Sequence, residues 1–214
     1  MNPLSLQIQM FGDFSIRSGS SEISDSGNRS RKVWLLLAYM IYNRSNPNIS
    51  SDKFINLLWG DDESSSNPNN ALKTMFHRAR TCLSQLGDDA GHTFIISSGG
   101  TYVWNNSVPV TLDIDVFDAL CKAGAESRTD DKRIDNYLHA LDLYRGDFLS
   151  KLSSEMWVVP IAAYYHNLYI KTVMETLPLL EKHRRYEEAV KLCNEALVHE
   201  PVSYTHLDVY KRQA

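Results

Sequence analysis

Two arginines, a lysine, a histidine and two threonines fall close together in this 214-residue chain, as Lys73, Thr74, His77, Arg78, Arg80 and Thr81. Cationic, imidazole and hydroxyl groups can grip phosphate oxygens and donate to base edges. Lys73, His77 and Arg80 are spaced four and three apart, so on a helix they are neighbours in space. Thr74, Arg78 and Thr81 flank them. Interleaved with them, Leu72, Phe76, Ala79, Leu83 and Leu86 recur at helical spacing and form one apolar stripe. Asn67 suits the N-cap and Pro68 an early helical position. The pattern predicts a helix over residues 68–86, stopped by Gly87, with one side buried and basic residues on another. Taken alone, such a helix is more often the solvated face of an amphipathic helix than a ligand surface.

Its neighbours change the balance. Residues 51–59 read as a short helix, and Gly60–Asn67 as a polar loop rich in Asp and Ser. After the basic helix, residues 92–96 and 101–104 read as two strands joined by Ser97-Ser98-Gly99-Gly100. Helix, loop, helix and hairpin in that order predict a winged helix-turn-helix, which presents one helix to the major groove of DNA. Upstream, Leu4–Met10 alternates as a strand does, and Phe14–Ile16 and Glu22–Ile23 suggest two more. Arg31–Tyr42 is apolar along most of its length, which predicts a largely buried helix. Its basic flank, Arg29, Arg31 and Lys32, is expected to assist the contact with DNA. The first domain is therefore expected over residues 1–106, as an α+β winged helix.

Composition excludes several other classes. Hydrophobic residues make up 43% of the chain and charged residues 22%, as in ordinary soluble proteins. There is no apolar run of membrane-spanning length and no secretory signal, so a cytoplasmic protein without membrane contact is expected. Cys82, Cys121 and Cys193 are widely spaced and make no metal or redox motif. The histidines are scattered. No P-loop, dinucleotide fingerprint or nucleophile elbow is present. The chain is expected to need no cofactor or metal and not to be an enzyme. Charge is divided unevenly: residues 1–106 hold nine Lys/Arg and nine Asp/Glu, and residues 107–214 hold thirteen and seventeen. Any basic surface for phosphate must then be local.

The second half reads as all-α over residues 107–202. Helices are expected at Asp113–Ala125, Lys132–Tyr144 and Tyr186–His199. A long helical stretch is expected from Trp157 to His183, kinked or broken at Pro178. Arg145–Leu149 reads as a turn. Ala189, Ala196 and Pro201 have the spacing of half a tetratricopeptide repeat. The cluster Trp157, Tyr164, Tyr165 and Tyr169 is expected in the core rather than in a pocket. Asp113 and Asp115 are expected to serve a helix start rather than catalysis.

A resemblance joins these parts. Leu58-Trp59-Gly60-Asp61, Asn70-Ala71-Leu72, Arg78-Ala79-Arg80, Leu86-Gly87 and Gly100-Thr101-Tyr102 resemble the OmpR-type winged helix of SARP-like bacterial regulators. Asp115-Val116-Phe117, the run Ala140–Leu149 and Trp157 are similar to the bacterial transcriptional activator domain that follows it. The likeness covers about residues 4–201. It implies a transcription activator that binds promoter repeats in double-stranded DNA, with a TPR-like domain supporting a homodimer or contacts to RNA polymerase. The chain departs from that pattern twice. Ser97–Thr101 carries no basic residue, and Ala79 stands where leucine is usual. A winged helix that serves protein interaction or scaffolding and no longer binds DNA is the alternative. Finally, Ser203–Gln213 resembles a translated sequencing adaptor, so residues 203–214 are expected to be a non-native tail, with the natural chain continuing past Val202.

Overall fold

Nine consecutive residues, Val33–Ile41, are buried in helix α1 (Arg31–Tyr42), the hydrophobic centre of the first half. The computed structural model describes residues 5–27, 30–46, 49–60, 67–98 and 101–199. By its own contacts the chain divides into two compact units, residues up to 9 with 13–112, and residues 10–12 with 113 onward. The division falls after Leu112 instead of Asn106. The reason is a short strand, Val110–Leu112, whose partner lies about a hundred residues upstream.

The first unit opens with β1 (Leu6–Gln9), β2 (Ser15–Ser18) and β3 (Ser21–Ser24). Further along come α2 (Ser51–Trp59), α3 (Pro68–Leu83), a 3-10 turn (Ser84–Leu86) and a short helix α4 (Ala90–Phe94). The hairpin β4 (Ile95–Ser98) and β5 (Thr101–Trp104) and the strand β6 (Val110–Leu112) complete it. Sheet order is β3-β2-β1-β6. The strands β1, β2 and β3 pair antiparallel, and β6 runs parallel to β1 in the register Leu6↔Val110. Both helix starts are capped as their sequences imply. Ser50 accepts from the Lys53 N–H at 3.3 Å and Asn67 from the Asn70 N–H at 3.0 Å.

The stripe expected on the basic helix is buried throughout: Leu72, Phe76, Ala79, Leu83 and Leu86. The helix ends at Leu83, and its last turn tightens into 3-10 form before Gly87. The hairpin differs more. His92, Thr93 and Phe94 are not strand; they belong to α4. The cause is a close packing that periodicity does not reveal. A Cβ on Gly91 would lie 2.3 Å from the backbone oxygen of Arg80, so α4 sits directly on the end of α3. Gly91→Ala is expected to cost about 1–3 kcal/mol, as overpacking does, read as a lower midpoint in urea denaturation.

The second unit is helical: α5 (Asp113–Glu126), α6 (Asp130–Leu143), α7 (Val158–Lys182) and α8 (Tyr186–His199). Each helix packs on the next, the arrangement of stacked helical hairpins. Helix α7 continues through Pro178 to Lys182. Pro178 and Met174 both lie on the exposed side, where water can take the carbonyl that proline leaves unpaired. Tyr165 and Tyr169 are buried in the core, whereas Tyr164 is exposed.

The Arg145–Leu149 run is more than a turn. Phe148 forms a β-bridge with Phe11. The Gly12 N–H donates to the Asp147 carbonyl at 3.0 Å, and the Leu149 N–H donates to the Met10 carbonyl at 2.8 Å. Gly12 holds φ +76°, and a Cβ there would lie 2.9 Å from the Arg145 oxygen. Residues 10–12 are thereby hydrogen-bonded into the second unit. The adaptor-like tail lies outside the described residues.

Candidate nucleic-acid interface

Helix α3 carries no acidic residue in its whole length, PNNALKTMFHRARTCL. Every other helix of eight residues or more in the first unit or the second either holds acids or, like α1, is almost entirely buried. Lys73, Thr74, His77, Arg78 and Thr81 are all exposed, and they lie on one side of the helix together with Asn70, Ser84 and Gln85. Asn70, Ser84 and Gln85 join the basic residues on this side because they lie at helical spacing from Thr74, Thr81 and Arg78. This side offers cations, amides and hydroxyls, the donor set that suits phosphate and base edges. Two hydroxyls are already oriented: Thr74 donates to the Asn70 carbonyl and Thr81 to the His77 carbonyl, each at 3.0 Å. Their oxygens keep lone pairs directed outward, able to accept from a base amino group.

The opposite side of α3 is fixed by aromatic packing. Phe76 meets Phe54 of α2 edge-on, with centroids 5.2 Å apart, and stacks on Tyr102 of β5 at 3.6 Å. One ring therefore ties α2, α3 and the hairpin together, which settles how α3 is presented.

Arg80 is placed differently from the other basic residues of α3. It is half-buried. Its Nη2 donates to the Ile95 carbonyl of β4 at 2.8 Å, and its guanidinium carbon lies 5.7 Å from the Tyr102 ring centroid. Of the basic flank, Arg31 and Lys32 are the first two residues of α1 and are exposed, and the Lys32 ammonium sits 5.1 Å from the Trp59 ring centroid. Arg29 lies outside the described residues, as do Gly99 and Gly100 of the hairpin turn.

Among the described residues no group of three or more His, Cys, Asp or Glu is placed to hold a metal ion. None of their helices is long and apolar enough to cross a membrane.

Residues 112–205 match the family model of the bacterial transcriptional activator domain. The match takes in all four helices of the second unit. The winged helix lies ahead of this match in the chain. The α+β winged helix followed by a TPR-like helical domain is also the fold of a known structure. Mycobacterium tuberculosis EmbR, solved in complex with a low-affinity phosphopeptide, matches with a TM-score of 0.71 over 97% of this chain and 54% of that one. The identity is 18%, so this likeness speaks for the fold. The chain spans about half of EmbR's length. No curated protein gives a sequence match. The activator-domain match begins at Leu112, next to the start of α5.

Proposed function

We propose that the chain is a cytoplasmic DNA-binding transcription activator that seats α3 in the major groove of double-stranded promoter repeats. The observation that carries this reading is the exposed side of α3, with Lys73, His77 and Arg78 on a helix that has no acid. Lys73 and Arg78 supply phosphate or base contacts, and Thr74, His77 and Thr81 supply further hydrogen-bonding groups. Arg29, Arg31 and Lys32 add charge on the backbone side. The activator domain supports a homodimer on direct repeats or contacts with RNA polymerase.

Fluorescence anisotropy of the intact chain with duplexes from its own promoter region tests the proposal. Specific binding at low salt is expected. Each of Lys73→Ala and Arg78→Ala, where the side chain holds a phosphate, makes the plot of log Kd against log salt shallower by about one. Absence of specific binding at low salt overturns the reading.

One observation favours a second reading, a winged helix that serves as a protein-interaction module. Residues 1–106 have no net charge, and phosphate neutralisation supplies much of the affinity for DNA. Unaltered binding by the Lys73 and Arg78 variants would favour it.

A further inference from the structure

Arg80 has a guanidinium turned away from the exposed side of α3 and toward the hairpin. Three of its features are those of a strut. Nη2 donates to a backbone carbonyl, that of Ile95, at 2.8 Å. The guanidinium carbon lies 5.7 Å from the centroid of Tyr102, the ring that stacks on Phe76 at 3.6 Å. Nε is buried with no hydrogen-bond partner, so this part of the group has been taken out of water. Removing part of a cation from water is costly, and a surface phosphate ligand does not need it. A charged donor to a carbonyl and a cation on an aromatic face offset that cost.

We propose that Arg80 is a positioning residue: it fixes the β4–β5 hairpin on α3, so that helix and wing meet DNA as one surface, and it does not itself hold a phosphate. This rests on the DNA-binding reading above for its consequence, but the clamp itself exists without DNA. Lysine cannot replace it. A single ammonium on a flexible stem has no plane to lay on Tyr102 and no fork to aim at the Ile95 oxygen. Arg80 and Arg78 are close in sequence and chemically identical, yet Arg78 is exposed and Arg80 is half-buried against the hairpin.

The test uses the full chain and four proteins: wild type, Arg80→Lys, Arg80→Ala and Arg78→Ala. The probe is the duplex that the wild-type chain enriches from a random-sequence library. Arg80→Lys is expected to bind it about tenfold more weakly, the scale of one lost hydrogen bond to a charged group. Its slope of log Kd against log salt stays that of wild type, because no phosphate contact has gone. Arg78→Ala, by contrast, flattens the slope by about one. A phosphate-binding Arg80 predicts the reverse: lysine retains the binding and alanine flattens the slope. That result overturns the proposal.

Hydrogen exchange on the DNA-free chain supplies a second readout. Amides of Ile95, Ile96 and Thr101–Trp104 are expected to exchange faster in Arg80→Lys, while those of Leu72–Ala79 hold. Unchanged exchange in the hairpin overturns the proposal even where Arg80→Ala fails to fold. Failure of the wild type to enrich any duplex overturns the DNA reading alone, and the exchange result then decides the clamp.

Discussion

Phe76→Ala is expected to destabilise the first unit by about 3–5 kcal/mol, the range for removing a large buried aromatic. The ring is only 1% exposed, and it touches an aromatic on each side, Phe54 at 5.2 Å and Tyr102 at 3.6 Å. Total stabilities of single domains run to about 5–15 kcal/mol, so the loss is a large part of the whole. Phe76→Leu keeps most of the volume and is expected to cost about 1.5 kcal/mol or less for shape. It also forfeits the aromatic pairing with Tyr102, worth about 0.5–1.5 kcal/mol. Urea denaturation followed by tryptophan fluorescence measures both, since Trp34, Trp59 and Trp104 report on this unit. A cost below about 1 kcal/mol for Phe76→Ala would mean that the ring is not the joint of α2, α3 and the hairpin.

The helix that carries Phe76 was legible from sequence because its signals are local. Asn67, Pro68 and the Leu72–Leu86 stripe each act within a turn or two, and the structure places all of them as their types require. The burial of α1 was legible for the same reason, since an unbroken apolar run has no other place to go. What the sequence concealed depends on distant partners. Val110–Leu112 is a strand only because β1 lies alongside it. His92–Phe94 has strand-like residues, yet it turns helical where Gly91 meets the Arg80 backbone. Arg145–Leu149 has turn residues, and its work is to receive residues 10–12.

The candidate site divides in the same way. Lys73, Thr74, His77, Arg78 and Thr81 share an exposed side because helical spacing alone puts them there. Spacing also puts Arg80 near His77 and Lys73, but it does not report where a long side chain ends. The Ile95 carbonyl and the Tyr102 ring draw Arg80 inward, and both belong to the hairpin that follows. A basic residue on a helix is thus assigned to solvent or to a clamp by the element packed beside it.

Asp113 shows the same dependence on a distant partner, with a consequence that varies with pH. Its carboxylate accepts the N–H groups of Met10 at 2.8 Å, Phe11 at 2.9 Å and Ile114 at 2.8 Å. Burial pushes its carboxyl up from an ordinary 3.8 to about 6, against the three backbone donors and the Arg145 charge, which favour the anion. Between those two values the folded chain holds a proton that the unfolded chain has released. Stability from this group is therefore fully present below about 4 and is lost as pH rises through about 6. The difference corresponds to about 3 kcal/mol. Asp113→Asn cannot titrate, so its stability curve is expected to lack this fall. Its overall level is a separate matter. The amide NH2 of asparagine would face the Met10 and Phe11 donors, and an unmet buried donor costs about 1–3 kcal/mol. The informative quantity is the change with pH of the difference between the two proteins, in which the histidines common to both cancel. Urea midpoints taken from pH 4 to pH 7 supply it. Curves that run parallel across that range would show that the three N–H donors hold the carboxylate charged, and that burial does not prevail at Asp113.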